Sequence, residues 1–446
     1  VTRLGLLDQA AFLRLRATGQ GSTVQCTWVY DRGVNLDDLQ TFRDNLGAGL
    51  LGRRIERSPV PFGRHRWVLD GHSPDIAHEP RQPRGEIGAW IERRSQVPVD
   101  PEHGPTFHLG LLPLDDGGTA VTLVASHCVT DGRALALAMA EAANGQERNL
   151  GYSQANSRGR WQAVREDLVD AILTLPAALR ALVATLVILL RVSSARQRQP
   201  PAPASEAPNA IGQDQHTFSS VTVYTDPAAW EARARGLNGS SNALFVAFAA
   251  RLAHRMGRVL PDGNSVTVVL PVSDRSADDD RANALTSITL TVDGQAVAND
   301  LSGVRADIKR LLTSQEQQPN EMLAGLPLIP FTPQWLVRRA EGIAMSTAEL
   351  PVGCSNLGTL DPAIGRIDGT DATEVSMRLA EQGITPSRIE QAYGQLFCGT
   401  ATINENRFLT VVSYQSGVGT TVTRELACDA LADLQLSATT GYECRA

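Results

Sequence analysis

A short apolar run that leads directly into a helix-forming segment is the feature that most constrains the fold of this chain. Residues 120–125 are apolar and partly β-branched and follow turn-forming residues at 115–118, which is typical of a buried strand. Residues 133–140 are rich in Ala and Leu, which lose little rotamer freedom in a helix. His127 and Asp131 lie between these segments, where a rigid scaffold commonly presents reactive groups.

The chemistry of this connection leaves more than one interpretation open. In a structural interpretation, His127 is a core histidine with a satisfied ring and Asp131 caps the next helix. In a functional interpretation, the same side chains act on a substrate. Cys128 is a further candidate, as a thiol nucleophile, but neighbouring side chains at a strand end point to opposite faces and do not readily form a nucleophile–base pair. The sequence therefore favours His127 over Cys128 as the reactive group.

Length and charge exclude some classes of protein. A chain of 446 residues exceeds the size at which one hydrophobic core stops growing, so two lobes are expected. The net charge of −7 argues against a nucleic-acid partner, because phosphate binding draws on clustered positive charge. We therefore expect no nucleic-acid partner.

The cysteines and histidines do not predict a metal site. The six cysteines are scattered without any Cys-x-x-Cys pair, which indicates neither a disulfide framework nor a zinc knuckle. His65, His72 and His78 are separated by Pro, Gly and Asp residues that deny them a common helical face. We expect no metal and a reduced, cytosolic compartment.

A run of Pro, Ala, Ser and Gln at residues 197–212 divides the chain. The run has no hydrophobic periodicity and predicts an exposed linker between an N-terminal lobe at 1–196 and a C-terminal lobe at 213–446. The N-terminal lobe ends in a long apolar helix, at 177–190, which is interrupted by Arg180. We expect this helix to lie inside the protein or on a lipid surface, as a peripheral membrane contact, rather than to span a membrane.

Hydrophobic periodicity and turn-forming residues predict the other elements. Strands are predicted at 24–30, 106–114, 217–225, 266–272 and 408–414. Helices are predicted at 35–51, 84–95, 227–235 and 240–252. The order of strands and helices in the two halves is similar, which favours two related lobes.

Residues 126–132, Ser-His-Cys-Val-Thr-Asp-Gly, resemble the His-His-x-x-x-Asp-Gly signature of the CoA-dependent acyltransferase superfamily. That superfamily includes chloramphenicol acetyltransferases, peptide-synthetase condensation domains, polyketide-associated acyltransferases and wax ester synthase/diacylglycerol acyltransferases. His127 matches the second histidine of the signature, and Ser126 replaces the first. Further blocks are similar to the wax ester synthase group: Leu4-x-x-x-Asp8, a helix start at Asn242 with Ala243 in place of an aspartate, Pro271-Val272-x-x-Arg275 and Ser355-Asn356-x-Gly358.

The resemblance implies an α/β (α+β) fold of two chloramphenicol-acetyltransferase-like lobes. Each lobe is expected to be a mixed sheet with flanking helices, with an active-site tunnel at the lobe interface. His127 is implied as the general base, without a covalent acyl-enzyme. Asp131 is implied to form a structural ion pair with Arg275 of the other lobe.

The resemblance also suggests roles for other residues near the connection. Gly132 is expected to allow a backbone angle or a close approach that a side chain would forbid. The candidates to stabilise the negative oxygen of the intermediate, or to contact substrate, are Asn242, Ser355 and Asn356.

The reaction implied is transfer of an acyl group from a thioester to a hydroxyl of a lipid or polyketide-like acceptor. The co-substrate is expected to be acyl-CoA or a phosphopantetheine thioester, with an acyl carrier protein as a further partner and no bound cofactor. Amide or ester formation between carrier-bound substrates, as in condensation domains, is a close alternative. A non-catalytic binding protein of the same fold is the alternative from another class, because Ser126 and Ala243 depart from the family pattern.

Overall fold

The computed structural model describes residues 3–71, 73–196, 218–276, 279–317, 324–345, 351–384, 395–415 and 417–442. The helices of the N-terminal half are α1 (Leu6–Thr18), α2 (Leu36–Ala48), α3 (Ile87–Ser95), α4 (Gly132–Ala143) and α5 (Arg160–Arg196). Its strands are β1 (Gly21–Tyr30), β2 (Arg53–Glu56), β3 (Arg66–Leu69), β4 (Ala77–His78), β5 (Phe107–Pro113) and β6 (Thr119–Ser126). The predicted linker at 197–212 lies outside the described residues.

The C-terminal half continues the numbering. Its helices are α6 (Pro227–Gly236), α7 (Ser241–Arg255), α8 (Ser302–Gln317), α9 (Gln334–Met345) and α10 (Thr420–Asp433), and a 3₁₀ segment (Leu326–Phe331) precedes α9. Its strands are β7 (Ser219–Thr225), β8 (Ser265–Ser273), β9 (Leu285–Asp293), β10 (Val352–Thr359), β11 (Glu374–Gln382), β12 (Leu396–Ile403), β13 (Asn406–Ser413) and β14 (Thr439–Thr440). Each strand and helix predicted from periodicity is present, with ends that differ by a few residues.

The predicted helices begin where the sequence supplies a capping side chain. Asn35 accepts a hydrogen bond from the backbone of α2, Asp226 from that of α6, and Ser240 from that of α7. Such caps satisfy backbone N–H groups that the first turn leaves unpaired. The helix predicted at 84–95 begins as a 3₁₀ turn and becomes α-helical only at Ile87.

The N-terminal sheet has the strand order β11-β1-β6-β5-β4. Strands β5 and β6 form the predicted antiparallel hairpin, and β4 runs parallel to β5, so the sheet is mixed. Every residue of β6 is buried, as its apolar composition predicts. Because β6 ends at Ser126, the sheet fixes the point from which His127 emerges.

The C-terminal sheet has the order β14-β7-β13-β12-β10-β8-β9. Strands β8, β10 and β12 are parallel neighbours and the other pairs are antiparallel, so this sheet is also mixed. Helix α7 packs on β8 and β10. Its residues from Ala243 to Ala253 are buried on all sides, except for the half-buried Arg251. Two mixed sheets with flanking helices are the architecture that the sequence predicts.

Strand β11 follows the predicted linker in the chain but belongs to the N-terminal sheet. It pairs antiparallel with β1 from Gly21 opposite Gln382 to Val29 opposite Glu374. It also contacts the C-terminal sheet, because Thr410 Oγ1 of β13 donates a hydrogen bond to the Met377 carbonyl of β11 at 2.9 Å. The predicted C-terminal lobe of 213–446 is therefore wrong for this strand, since hydrogen bonding and not chain order decides sheet membership.

Helix α5 is 37 residues long, and over residues 160–187 most of its side chains are exposed. Over residues 160–187 it is long and apolar enough to cross a membrane by length and composition, with mean hydropathy 1.7 in its most apolar window, of which 11% is buried. Of the two expected positions, the one inside the protein is therefore wrong, and the one on a lipid surface stays a prediction. Among the described side chains of α5, the buried apolar ones are all alanines: Ala163, Ala178 and Ala181. The face through which α5 packs on the protein is therefore narrow.

The position of β11 predicts that residues 1–196 do not fold alone. Without β11, the buried strand β1 becomes an open, apolar edge, and such edges aggregate. We expect fragment 1–196 to be aggregated or to lack a cooperative unfolding transition, and co-production with 213–446 to restore a soluble complex. Size-exclusion chromatography and near-ultraviolet circular dichroism measure both; a monomeric 1–196 fragment with cooperative unfolding would contradict the prediction.

Candidate active site

His127 lies on the connection between β6 and α4 and is half-buried. Its backbone N–H donates to the Ser22 carbonyl at 2.9 Å, which extends the β1–β6 ladder past the end of the strand. Its own carbonyl accepts from Asn283 Nδ2 at 3.1 Å. The main chain of His127 is thus fixed by β1 on one side and by the segment between β8 and β9 on the other, so the imidazole has a defined position.

Asp131 is buried and uses both carboxylate oxygens. Oδ1 accepts from the Ala134 N–H at 2.7 Å and caps α4, as the structural interpretation of the sequence predicts. Oδ2 accepts from Arg275 at 2.8 Å and from the Ala284 N–H at 3.0 Å. The side chains of Asp131 and Arg275 are each 6% exposed, so the pair is desolvated and its hydrogen bonds offset the cost of burying the charges.

Arg275 comes from the end of β8 and organises the segment that follows. Its guanidinium donates to the carbonyls of Asp279, Arg281 and Ala282 at 2.9–3.1 Å. The ion pair between Asp131 and Arg275 that the family resemblance implies is therefore formed in the structure. Its effect on activity stays a prediction.

Asp8 of α1 is a second buried carboxylate behind the histidine connection. It accepts from the N–H of Asn283 at 2.8 Å and from Asn283 Nδ2 at 3.1 Å. Burial raises the pKa of Asp8, while the charge of Arg53 lowers it. Since Asn283 also holds the His127 carbonyl, α1 positions the connection through one intermediate side chain.

Arg53 of β2 is fully buried and holds the same connection from another direction. It donates to the Val129 carbonyl at 2.8 Å and to Tyr152 Oη at 3.0 Å, with its guanidinium over the ring of Trp67 at 4.4 Å. It also donates to the carbonyl of Asp280. Sequence reasoning assigned no role to Arg53 or Asn283, because their partners are 76 to 275 residues away in the chain.

Gly132 is the first residue of α4 and does not have a positive φ angle. A Cβ atom added there would lie 3.1 Å from a terminal carbon of Leu357. The expected special backbone angle is therefore absent, and the close approach is to a side chain that has some freedom to move.

Two adjoining cavities meet at this connection. One, of about 280 Å³, contains His127 and is bordered mainly by apolar side chains of β1, β11, β12 and β13. The other, of about 300 Å³, is bordered by Asp131, Arg275 and residues of α7, α8 and β10. The residues that border both are Asp131, Gly132, Pro271, Leu285, Ser355 and Leu357. We call them the apolar cavity and the polar cavity.

The three candidate oxyanion or substrate contacts are not equivalent. Ser355 is exposed and borders both cavities, whereas Asn242 and Asn356 border only the polar cavity. Asn356 Nδ2 donates to Asn242 Oδ1 at 2.6 Å, so the donor of Asn356 is already engaged. Of the three, only Ser355 borders the cavity that contains His127.

Cys128 and Ser126 form the inner side of the turn. Ser126 Oγ accepts from the Cys128 N–H at 3.3 Å, so the residue in place of the first family histidine shapes the turn. Burial raises the pKa of Cys128 to about 12, which disfavours the thiolate that a nucleophile needs.

Metal binding finds no geometric support within the part of the chain that the structure describes, where no three His, Cys, Asp or Glu side chains cluster. The ring of His65 accepts from the Ser58 N–H, and burial lowers the pKa of His65 to about 4. His78 is exposed on β4, and His72 lies outside the described residues.

Comparison with protein-family models and with curated proteins finds no match. Among solved structures, polyketide synthase associated protein 5 from Mycobacterium tuberculosis is similar with 16% identity and a TM-score of 0.55, over 96% of this chain and 97% of that one. Wax ester synthase/diacylglycerol acyltransferase from Marinobacter aquaeolei VT8 is similar with 15% identity and a TM-score of 0.55, over 97% and 99%. TRI101 from F. sporotrichioides, complexed with coenzyme A and T-2, is similar with 12% identity and a TM-score of 0.56, over 99% of both chains.

These likenesses cover nearly the whole of this chain and of each of those chains. At such low identity they establish the fold. The chain therefore has the same two-lobed fold as these solved proteins, which is the fold that its sequence blocks predict.

The buried ion pair predicts a large stability effect for Asp131→Asn. The asparagine can still cap α4, but it leaves the buried charge of Arg275 uncompensated, so we expect the free energy of unfolding to fall by about 3 kcal/mol. Asp361→Asn is the matched control, because Asp361 is an exposed cap whose Oδ1 accepts from the Ala363 N–H at 2.8 Å. We expect that control to change stability by less than about 0.5 kcal/mol. Guanidinium unfolding measures both, and equal losses in the two variants would contradict the prediction.

Proposed function

We propose that this protein is an acyltransferase that moves an acyl group from a thioester to a hydroxyl, with His127 as general base. The supporting observation is the position of His127, half-buried at a strand end, on the wall of an apolar cavity that adjoins a polar one. A neutral imidazole is suited to this role because its ordinary pKa is close to neutral pH. The fold, shared with acyltransferases and condensation domains, supports the same class of reaction.

The proposed step needs no covalent intermediate on the protein. The neutral imidazole takes the proton of the acceptor hydroxyl while the hydroxyl oxygen attacks the thioester carbonyl carbon. The tetrahedral intermediate then collapses, the carbon–sulfur bond breaks, and the imidazolium returns the proton to the departing thiolate. The products are an ester and a free thiol. The raised pKa of Cys128 supports direct transfer over a route through a cysteine acyl-enzyme.

Ser355 is the proposed donor to the negatively charged oxygen of the intermediate. It borders both cavities, so it lies where the carbonyl must sit if the acyl chain occupies one cavity and the other reactant occupies the second. Asn242 is a proposed substrate contact within the polar cavity, and Asn356 is proposed to orient Asn242 through their mutual hydrogen bond.

The two cavities suit the two reactants that the reaction requires. The apolar cavity is bordered by Leu379, Phe397 and Val412 and is proposed to hold the acyl chain. Arg133 is exposed at the polar cavity, where its charge suits the phosphate of coenzyme A or of a phosphopantetheine arm. The neighbour TRI101, complexed with coenzyme A, supports a thioester co-substrate of this kind.

The proposed acceptor is a hydroxyl of a lipid or polyketide-like molecule, and an acyl carrier protein is a proposed alternative source of the thioester. Condensation of two carrier-bound substrates is the second candidate, and it is favoured by the likeness to the first condensation domain of the CDA synthetase, at 15% identity over 99% of both chains with a TM-score of 0.55. We also propose a cytosolic protein, in agreement with the buried cysteines Cys26, Cys128, Cys354 and Cys398, which are not in disulfides.

His127→Ala tests the proposal directly. The assay measures thiol release from acetyl-, octanoyl- and palmitoyl-CoA, with long-chain alcohols or diacylglycerol as acceptors. We expect the rate of thiol release to fall at least about 100-fold. Cys128→Ala is the matched control, since it removes the neighbouring side chain on the same turn and is expected to keep nearly full activity. If no donor and acceptor pair gives turnover that depends on His127, the non-catalytic binding protein becomes the better interpretation.

Leu379→Trp tests the assignment of the apolar cavity. Leu379 borders this cavity from β11, and a larger ring there leaves less room for a long chain. We expect the ratio of palmitoyl-CoA to acetyl-CoA turnover to fall by about tenfold or more. Leu137→Trp, which changes a half-buried leucine of α4 that borders neither the apolar nor the polar cavity, is the control. An unchanged ratio in Leu379→Trp would place the acyl chain elsewhere.

A further inference from the structure

Helix α5 has the reverse of the usual amphipathic arrangement. Its buried side chains include Ala163, Ala178 and Ala181, which share one helical face by their spacing. Its large apolar side chains point outward. Those at least 40% exposed are Leu168, Val169, Ile172, Leu173, Leu175, Leu179, Leu182, Val183, Leu186 and Val187. A helix that packs through small residues and exposes leucines has an outer face suited to an apolar surrounding.

Several polar side chains of α5 bind partners on its inner side or within the helix. Asp167 is fully buried and binds Arg158 and Arg3, and Glu166 also binds Arg158. Thr174 and Thr185 donate their hydroxyls to carbonyls of the preceding turn. The carboxylates of Glu166 and Asp167 are therefore paired with arginines.

The charges on the exposed side of α5 are positive. Arg165 and Arg180 are exposed; Arg165 precedes the apolar face that begins at Leu168, and Arg180 lies within the length of that face. Trp161 is 84% exposed one turn before Arg165, and tryptophan together with arginine is the typical boundary of a segment that meets lipid headgroups. Long arginine side chains at such positions can reach the headgroups while their stems stay in the apolar layer.

The fold excludes a simple membrane crossing by α5. The chain before α5 supplies β1, and the chain after α5 supplies β11, which pairs with β1 along nine residues. A single crossing would place these two strands on opposite sides of a bilayer. A helix that lies in the plane of the interface keeps both on one side.

The exposed apolar surface continues beyond α5. The 3₁₀ segment Leu326–Phe331 packs against α5 and leads into α9, whose Trp335 and Leu336 are 65% and 41% exposed. Phe62 is 55% exposed and stacks on Phe331. Phe62, Trp335 and Leu336 are therefore further exposed apolar side chains, and they contact or follow the 3₁₀ segment that packs against α5.

We propose that α5 is a monotopic membrane anchor, which lies along a bilayer surface with its outer apolar face among the acyl chains and its arginines at anionic headgroups. From Leu168 to Val187 the apolar face is about 30 Å long. A second copy of this chain fits the face less well. An antiparallel twofold pairing centred between Ile172 and Leu173 would bury Arg165 of each copy opposite Arg180 of the other, whereas the carboxylates Glu166 and Asp167 are already engaged by Arg158.

Vesicle sedimentation of the full chain tests the proposal without any substrate, so its outcome is independent of the proposed activity. One set of vesicles is phosphatidylcholine alone. The other is phosphatidylcholine with about 30% phosphatidylglycerol, so that roughly one third of its surface lipid is anionic. We expect binding to both, with stronger binding to the anionic vesicles. Leu173→Glu with Val183→Glu is expected to lower the partition coefficient by about 100-fold, because two exposed apolar side chains no longer enter the bilayer.

The matched control is Leu36→Glu with Val422→Glu, two side chains with 44% and 45% exposure that lie on other helices. This control is expected to bind like the parent protein. Arg165→Gln with Arg180→Gln is expected to remove most of the preference for anionic vesicles and to keep the binding to phosphatidylcholine. Circular dichroism melting checks that all variants remain folded.

Any of three results would overturn the proposal. The first is a parent protein that stays in the supernatant with both kinds of vesicle, and the second is a Leu173→Glu, Val183→Glu variant that binds as well as the parent. The third is a dimer in light scattering that the same double variant dissociates, without vesicle binding, since α5 would then be an interface between two copies.

Discussion

The carboxylate of Asp131 is the contact on which the rest of the site depends. It caps α4, pairs with Arg275 and accepts from the Ala284 backbone, so one buried group joins a helix of one lobe to a strand end and a loop of the other. A carboxylate removed from water is costly unless each oxygen is bound. Here the donors come from both halves of the chain. Closing the two lobes and fixing the histidine connection are therefore the same physical event.

A second set of contacts makes this connection rigid. Asn283 joins Asp8 to the His127 carbonyl, and Arg53 holds the Val129 carbonyl two residues further on. These groups act on the main chain and leave the imidazole free to face a cavity. A general base needs such an arrangement, because its position must be accurate while its ring nitrogens remain available to the substrate.

The same fold keeps a strongly apolar helix outside its core. The alanines of α5 let it approach the protein closely, and the leucines that would normally fill a core face outward. Exposing this much apolar surface to water is unfavourable, so the arrangement is stable only where something covers it. A bilayer would also be the source of a water-insoluble acceptor, which connects the proposed anchor to the proposed reaction.

The sequence by itself determined the local elements and singled out the His127 connection as the proposed reactive site. Periodicity placed β6 and α4, the position of Asp131 before an Ala-rich helix predicted its role as a cap, and the resemblance of the sequence blocks to a known superfamily implied the two-lobed fold. These features depend on neighbours within a few residues. Tertiary structure decided the rest: β11 crosses to the other sheet, Arg53 and Asn283 reach the histidine connection, and α5 turns its leucines outward. Each of these depends on partners far away in the chain or on the medium around the protein, and local patterns carry no information about either.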